Sequence, residues 1–238
     1  MSETLAFLID APLQSWGVSS KFQRRDTENW PTKSALVGLL AAALGIDKNS
    51  PDEAERLAPL CQLTFSVLRW SKPVPSLRLT DFHTVGGGYD KKDPFEKLFI
   101  SRKAGDGSPF GTVITRRTYL NDSRFIALFE GDASTLKNIA EALHDPGWGL
   151  WFGRKSCIPA APLAPVLAST VEGVLAAMAE QLNVDLTSLL NLAGMTEKAG
   201  DGTFHQADQP IAFGHHHGPI PAAYLSRSVR RLKPGELP

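Results

Sequence analysis

The spacing of apolar residues in the first third of the chain predicts a strand, a helix and a second strand. Residues 4–10 are strongly apolar with weak alternation, which predicts a buried strand. A run that is apolar on most sides follows Thr32 and ends at Gly45, which predicts a capped helix packed against a sheet. Residues 61–70 are β-branched and aromatic with a period of two, so they predict a second strand.

The later elements follow from the same kinds of pattern. Residues 11–30 lack a helical period and predict an ordered loop. The remaining predictions are a short helix at 52–58, a strand pair at 112–120 and 124–130 turning at 121–123, a helix at 133–143 capped by Asp132, a strand at 148–152, acidic helices at 172–182 and 185–192, and a last strand within 220–232. The order of elements in the first 153 residues matches a ferredoxin-like βαββαβ unit, an α+β fold also used by RNA-recognition modules.

A long insertion interrupts this pattern at about 71–111. It is rich in glycine, proline and charge, and it includes three glycines at 86–88. A structureless loop of that length is unusual inside a compact domain, so we expect a projecting hairpin. We therefore expect an RNA-recognition-like domain at 1–153 and a smaller region at 154–238 packed on it.

Composition narrows the class of protein. The chain has 238 residues, 25 basic and 25 acidic side chains and 42% hydrophobic residues, which is typical of a soluble globular protein. The two cysteines, Cys61 and Cys157, exclude a disulfide-rich scaffold and a four-thiolate zinc site. Without a signal peptide or an apolar run of about 20 residues, the sequence predicts a cytoplasmic protein that does not enter a membrane.

The neutral total hides an uneven distribution of charge. Residues 91–117 carry seven bases and three acids, whereas residues 172–208 carry six acids and one base. The end of the chain is basic again, from Arg227 to Lys233. Such separation suits a molecule that presents one face to a polyanion, although it also suits an ordinary solvated surface.

The common hydrolytic and nucleotide-binding motifs are missing from the sequence, which contains no Gly-x-Ser-x-Gly, His-Glu-x-x-His, Cys-x-x-Cys or phosphate-binding loop. The consecutive residues His215–His217 predict an exposed loop rather than a native metal site, because neighbouring side chains of a strand point to opposite faces. His83, with lysines and a tyrosine nearby in sequence, suits general acid–base cleavage of RNA or a structural, RNA-contacting role.

Aromatic and basic residues interleave along the chain, as in proteins that hold single-stranded RNA by stacking and phosphate neutralisation. The turn at Gly153–Ser156 offers glycine, two cations and a hydroxyl, and main-chain N–H groups of such a turn bind phosphates. The alternative for Trp16, Trp148 and Trp151 is core packing. For Arg24, Arg25, Arg154 and Lys155 it is solvated surface.

Several blocks, in order along nearly the whole chain, match one known family. They are APLQSWG at 11–17, PTKSALVGLL at 31–40, DFHTV at 81–85, RTYL at 117–120, FGRKSC at 152–157 and SR at 226–227. The sequence resembles the CasD (Cas-five) family, the subunit of type I-E CRISPR Cascade complexes that binds the 5′ handle of the CRISPR RNA. The acidic stretch at 172–197 and the histidine triplet do not align with that pattern.

The resemblance implies a fold, partners and a role. The fold is a modified ferredoxin-like, RNA-recognition-motif (RAMP) fold with a β-hairpin thumb at about 71–111 and a smaller C-terminal α/β region. The partners are the CRISPR RNA handle, the backbone subunit and the large subunit of Cascade, with target DNA reached only through the complex. No cofactor or metal is implied. The acidic segment 172–208 is expected to face a protein partner or solvent.

The role implied is non-catalytic RNA binding in antiviral defence. The residues expected around the RNA are Gln14, Trp16, Arg24, Arg25, Lys33, His83, Arg102, Lys103, Arg117, Gly153, Arg154, Lys155 and Ser156. In type I-C relatives the corresponding subunit cuts the repeat RNA, which keeps a metal-independent endoribonuclease using His83 as the alternative. A protein-interaction module without an RNA role is a third possibility.

Overall fold

The structure of the protein, a computed structural model, describes residues 2–17, 23–70, 77–85, 92, 95, 113–214 and 225–238. The strands are β1 (Ser2–Gln14), β2 (Arg24–Arg25), β3 (Thr64–Arg69), β4 (Arg78–Val85), β5 (Val113–Asp132), β6 (Val166–Ala168), β7 (Ala193–Thr196), β8 (Phe204–Gln209) and β9 (Leu225–Leu232). The helices are α1 (Lys33–Ala43), α2 (Glu53–Gln62), α3 (Ala133–His144), α4 (Val171–Leu182) and α5 (Leu186–Leu190).

One large sheet, mostly antiparallel, organises these elements. Its described strands lie in the order β6-β1-β5-β3-β7-β9-β8, and β2 and β4 both pair with the first part of β5. Strands from both sides of residue 153 therefore share the sheet. The long pairing of β1 with β5 keeps a single register from Ser2 opposite Asp132 to Gln14 opposite Leu120.

Helices cover both faces of the sheet. Alternate residues of β1 point to opposite sides, so Leu5 and Phe7 join the core beneath α1, α2 and α3, whereas Ala6 and Leu8 join the core beneath α4 and α5. Because both faces are buried, residues 5–9 of β1 form an unbroken apolar run, inside the segment 4–10 that the sequence predicts as a buried strand.

The predicted helix caps are confirmed. The Thr32 hydroxyl accepts a hydrogen bond from the Ala35 amide at 3.3 Å at the start of α1, and Asp132 accepts one from the Thr135 amide at 3.0 Å at the start of α3. α1 ends before Gly45, whose φ of 63° suits glycine. These are local signals, which explains why the sequence predicts them well.

The strand pair predicted around residues 121–123 is wrong, since 113–132 form one strand. β1 pairs across the expected turn, with Ala11 opposite Ser123 and Leu13 opposite Asn121. That register sets Pro12, which has no amide hydrogen, opposite Asp122, whose φ is 45°. Residues 121–123 therefore form a local irregularity within a continuous strand and do not form a turn.

Two other predicted strands are corrected. Residues 148–152 are irregular, because the Gly147 and Trp148 amides donate to the carbonyls of Ala43 (2.8 Å) and Ala42 (3.2 Å) at the end of α1. The segment therefore begins by bonding carbonyls at the C-terminal end of α1 and does not join the sheet. Residues 61–62 continue α2, and β3 begins only at Thr64.

A buried cluster of four charged side chains ties the start of α1 to the C-terminal strands. Glu197, just after β7, lies 3.0 Å from the Lys33 ammonium and 3.2 Å from the Arg227 guanidinium. Arg227 also bonds Asp208 through two nitrogens, and the second Asp208 oxygen accepts from the Lys33 amide at 2.9 Å. We call these four residues the buried charge cluster.

The charged groups of the cluster find hydrogen-bond partners within the fold. Burial lowers the pKa of Lys33, while Glu197 opposes that shift. The Lys33 ammonium also donates to the Leu63 carbonyl at 2.9 Å. Asp208, which is buried, and Glu197, which is half-buried, both bond cations within the fold, which corrects for these two acids the expectation that the segment faces a partner or solvent.

We expect Glu197→Ala to lower the free energy of unfolding by about 3–5 kcal/mol, because it leaves Lys33 and Arg227 buried with one shared acid fewer. Urea titration followed by circular dichroism measures the change. Arg24→Ala, which breaks an exposed pair with Asp26, is the control and should cost less than about 1 kcal/mol. Equal losses in the two variants would contradict a structural role for the buried charge cluster.

Candidate nucleic-acid interface

The turn at 153–156 docks against the end of β1. The Ser15 amide donates to the Phe152 carbonyl at 3.0 Å, and the Cys157 amide closes the turn on the Arg154 carbonyl at 2.8 Å. Gly153 has φ 97°, and a Cβ added there would lie 1.8 Å from the Ser15 carbonyl oxygen. Only glycine permits this approach, which sets the turn beside residues 15–17.

Arg154 fastens the same turn to two strands. Its guanidinium donates to the Thr118 carbonyl at 3.0 Å and to the Arg25 carbonyl at 2.8 Å, and it lies 4.6 Å from the centre of the Tyr119 ring. A planar fork suits two carbonyls and a ring face at once. Arg154 therefore acts first as a clamp, with only part of its guanidinium exposed.

A cleft of about 340 Å³ opens between this turn and α1. Its walls include Gly17, Arg25, Trp151, Arg154 and the α1 residues Ser34, Ala35, Gly38 and Ala42. Trp151 is 37% exposed, and the exposed Lys155 holds its ammonium 5.6 Å from that ring. The cleft thus combines cations, an aromatic face and closely approachable glycine backbone.

A three-stranded ribbon adjoins the cleft. We call β2, β4 and the first eight residues of β5 the outer ribbon. Arg24 is in register with Arg116, and Arg25 with Arg117, so one pair of arginines occupies each face. Arg116 stacks over the exposed Phe82 ring at 4.9 Å. Basic and aromatic side chains therefore extend from the cleft onto both faces of the outer ribbon.

His83 lies in β4, opposite Thr115 of β5. Its ring is half-buried, and its Nε2 atom is buried without a hydrogen-bond partner. Asp81 and Arg117, a cross-strand pair, share its face of the outer ribbon. Of the sequence neighbours expected to assist it in cleavage, Tyr89 and Lys91 lie outside the described residues.

Three predicted contact residues turn inward, which corrects the expectation that their side chains reach RNA. Gln14 and Trp16 are fully buried, and the Trp16 indole donates to the Gln14 side-chain oxygen at 3.1 Å. Gln14 also donates to the Ser123 carbonyl. Lys33 belongs to the buried charge cluster. These side chains support the walls of the cleft rather than lining it.

The other predicted residues divide between surface and undescribed chain. Arg24, Arg25, Lys155 and Ser156 are exposed, and Arg117 is half-buried with its Nε donating to Thr115 at 3.1 Å. Arg102 and Lys103, like His215–His217, lie outside the described residues. Gly38 and Phe213 are among the wall residues that were not predicted from the sequence; a glycine inside a helix was an available signal for the first, and the second had none.

No group of three or more histidine, cysteine, aspartate or glutamate side chains in the described part of the chain is arranged to hold a metal ion. No described helix is both long and apolar enough to cross a bilayer. Burial raises the pKa of Cys157, next to the turn, and so favours its neutral thiol.

Comparison with known proteins gives consistent likenesses. Residues 4–218 match the family model described as CRISPR-associated protein (Cas_Cas5). The chain is 28% identical over 169 residues to the CRISPR system Cascade subunit CasD of Escherichia coli (strain K12), covering 68% of this chain and 70% of that protein.

Two solved structures share the fold over almost the whole chain. A chain from a CRISPR RNA-guided surveillance complex superposes with a TM-score of 0.71 at 26% identity, covering 99% of this chain and 91% of that one. A crystal structure of a Cas protein gives 0.59 at 27% identity, covering 98% and 95%. The shared fold therefore includes the elements around the cleft.

We expect Gly153→Ala to destabilise the protein by about 2–4 kcal/mol, because it adds a clash with the Ser15 carbonyl to the strain of a positive φ. Gly202→Ala is the matched control, since Gly202 has φ 74° with nothing within 4 Å of an added Cβ. It should cost only about 1–2 kcal/mol. Urea unfolding of both variants tests this, and equal costs would rule out the close approach.

Proposed function

The chain belongs to the Cas5 family of CRISPR-associated proteins, and from this premise we propose that it is a non-catalytic RNA-binding subunit of a type I-E CRISPR Cascade complex. In this role it holds the 5′ handle of the CRISPR RNA in the cytoplasm. The observation that carries this proposal is the cleft between α1 and the turn at 153–156, where Arg25 and Trp151 lie beside glycine backbone and Lys155 lies next to the Trp151 ring.

The chemistry of the cleft suits single-stranded RNA. Among the described contacts, the Arg25 side chain has no hydrogen-bond partner and Lys155 has only the Trp151 ring, so both cations are available to phosphates. Trp151 offers an exposed ring on which a splayed base can stack. Arg154 supports the site by clamping the turn to the outer ribbon.

The topology supports the finer interpretation of the fold. The four strands β6-β1-β5-β3 lie in the antiparallel order of a ferredoxin-like unit, with β6 as the fourth strand. The outer ribbon ends at Val85 and Val113, a register pair. We propose that the outer ribbon belongs to the thumb expected at about 71–111, that this thumb contacts the backbone subunit, and that Arg102 and Lys103 bind RNA there.

The partners follow from the same proposal. Exposed apolar residues on the outer ribbon, such as Leu79, Phe82 and Ile114, suit packing on another protein subunit. The large subunit is proposed as a second protein neighbour, and target DNA meets this chain only through base pairing by the RNA.

We expect Arg25→Ala and Lys155→Ala each to weaken binding of a synthetic single-stranded RNA with the repeat-derived 5′ end, because each removes a phosphate contact. Each should also reduce the slope of log affinity against log salt by about 0.7. Trp151→Ala should weaken binding by about 5- to 150-fold through lost stacking. Filter binding of the full chain across salt concentrations measures these effects.

Lys137→Ala, an exposed cation on α3, is the control and should leave both affinity and slope unchanged. If Lys137→Ala matched the cleft variants, binding would be diffuse and the cleft would not be the site. RNA affinity unchanged in all three cleft variants would instead favour the protein-interaction module.

We expect the full chain to leave the same labelled RNA intact in EDTA, on denaturing gels, because its proposed role is to hold the RNA and not to cut it. His83→Ala should therefore change nothing in RNA integrity. A discrete product that disappears in His83→Ala would establish the endoribonuclease alternative and overturn the non-catalytic proposal.

A further inference from the structure

A second cavity lies on the other side of one wall of the cleft. It has a volume of about 290 Å³, and its lining includes the apolar residues Ile46, Leu57 and Trp148 and the charged residues Asp47 and Lys48. Gly38, Ala42 and Phe213 line both this cavity and the cleft. The two spaces are therefore neighbours along one face of α1.

The wall is held in place by a buried carboxylate. The amides of Phe213 and Gly214 donate to the two oxygens of Glu53 at 2.7 and 2.9 Å. Glu53 is only 1% exposed, and it belongs to the first turn of α2. Charge-assisted bonds of this kind are strong, so they hold the backbone that carries the Phe213 ring at this wall.

The other half of the wall is Gly38, inside α1. An added Cβ would lie 3.6 Å from the Phe213 ring, an ordinary van der Waals distance. The fold thus has room for alanine, which is a much better helix former than glycine. The space that Gly38 leaves open lies toward the two cavities, so its effect is to keep the wall between them thin.

We propose that the cleft and the second cavity are two adjoining subsites, divided by Gly38 and Phe213, that take two successive splayed bases of the RNA. This inference rests on the function proposed above. One base lies by Trp151 in the cleft, and the next lies in the second cavity against Trp148, which is 46% exposed.

The position of the second cavity and its tryptophan ring favour a base over a protein side chain. The second cavity adjoins the cleft, which is lined by Arg25 and Arg154. An RNA backbone held by these arginines can therefore place one base in the cleft and the next base beyond the thin wall, in the second cavity. The Trp148 ring provides the aromatic surface on which single-stranded bases stack. Both volumes fall near the lower limit of about 300 Å³ for ligand pockets, a size that suits single ring systems.

The test combines Gly38 variants with RNAs that lack one base at a single, scanned position. With the unaltered full chain, loss of either of two adjacent bases should weaken binding by about 5- to 150-fold. Gly38→Leu should weaken binding of intact RNA by a similar factor. In Gly38→Leu, removal of the base at one or both of those positions should then cause no further loss of RNA affinity.

Stability controls accompany these measurements. Gly38→Ala should raise the melting temperature by about 1–4 °C while weakening RNA binding less than Gly38→Leu does. Ala176→Leu, exposed on α4, is the matched control and should bind RNA normally. Trp148→Ala leaves α1 unchanged. In this variant, removal of the second base should no longer weaken RNA binding, whereas removal of the first base should still do so.

The outcomes separate this inference from the proposed function. If Gly38→Leu folds and binds every RNA as the unaltered chain does, while Arg25→Ala still loses affinity, the two-subsite inference is wrong and the proposed function stands. Release of a protein subunit from the purified complex by Gly38→Leu, without any change in RNA affinity, would assign the second cavity to a protein side chain and also overturn the inference. Normal affinity in Arg25→Ala and Trp151→Ala would overturn the proposed function itself.

Discussion

The antiparallel pairing of β1 with β5 is the constraint on which the rest of the structure depends. It runs in one register over the whole length of β1, and β5 continues beyond it into the outer ribbon. The end of β1 therefore lies where the outer ribbon begins. The turn at 153–156 docks at this junction, so the same register that builds the core also positions the cleft.

Polar groups around the cleft serve mainly as supports. The Arg154 guanidinium donates its hydrogen bonds to two backbone carbonyls, and the Lys33 ammonium donates to Glu197 and to the Leu63 carbonyl. Such side chains hold a rigid frame, and a smaller set of exposed cations and rings remains free for a ligand. Among the described residues, Arg25, Lys155 and Trp151 belong to that smaller set.

The parts of the fold that depend on neighbouring residues could be predicted from the sequence. Thr32 and Asp132 identify helix starts because a cap bonds an amide three residues away. The turn expected at 121–123 failed because β1, more than a hundred residues earlier in the chain, pairs across it. Within the site, composition could suggest arginine and lysine, but only long-range packing decides that Lys33 is buried while Arg25 is exposed.

The buried charge cluster also limits the routes by which this sequence can change over evolutionary time. Its members come from α1, β8, β9 and the end of β7, and each depends on at least one of the others. A group of apolar residues of similar volume can be as stable as such a cluster, yet every single replacement on the way leaves a charge stranded. Substitutions at these four positions are therefore strongly epistatic, and a lineage that has the cluster is expected to keep it or to replace several members together.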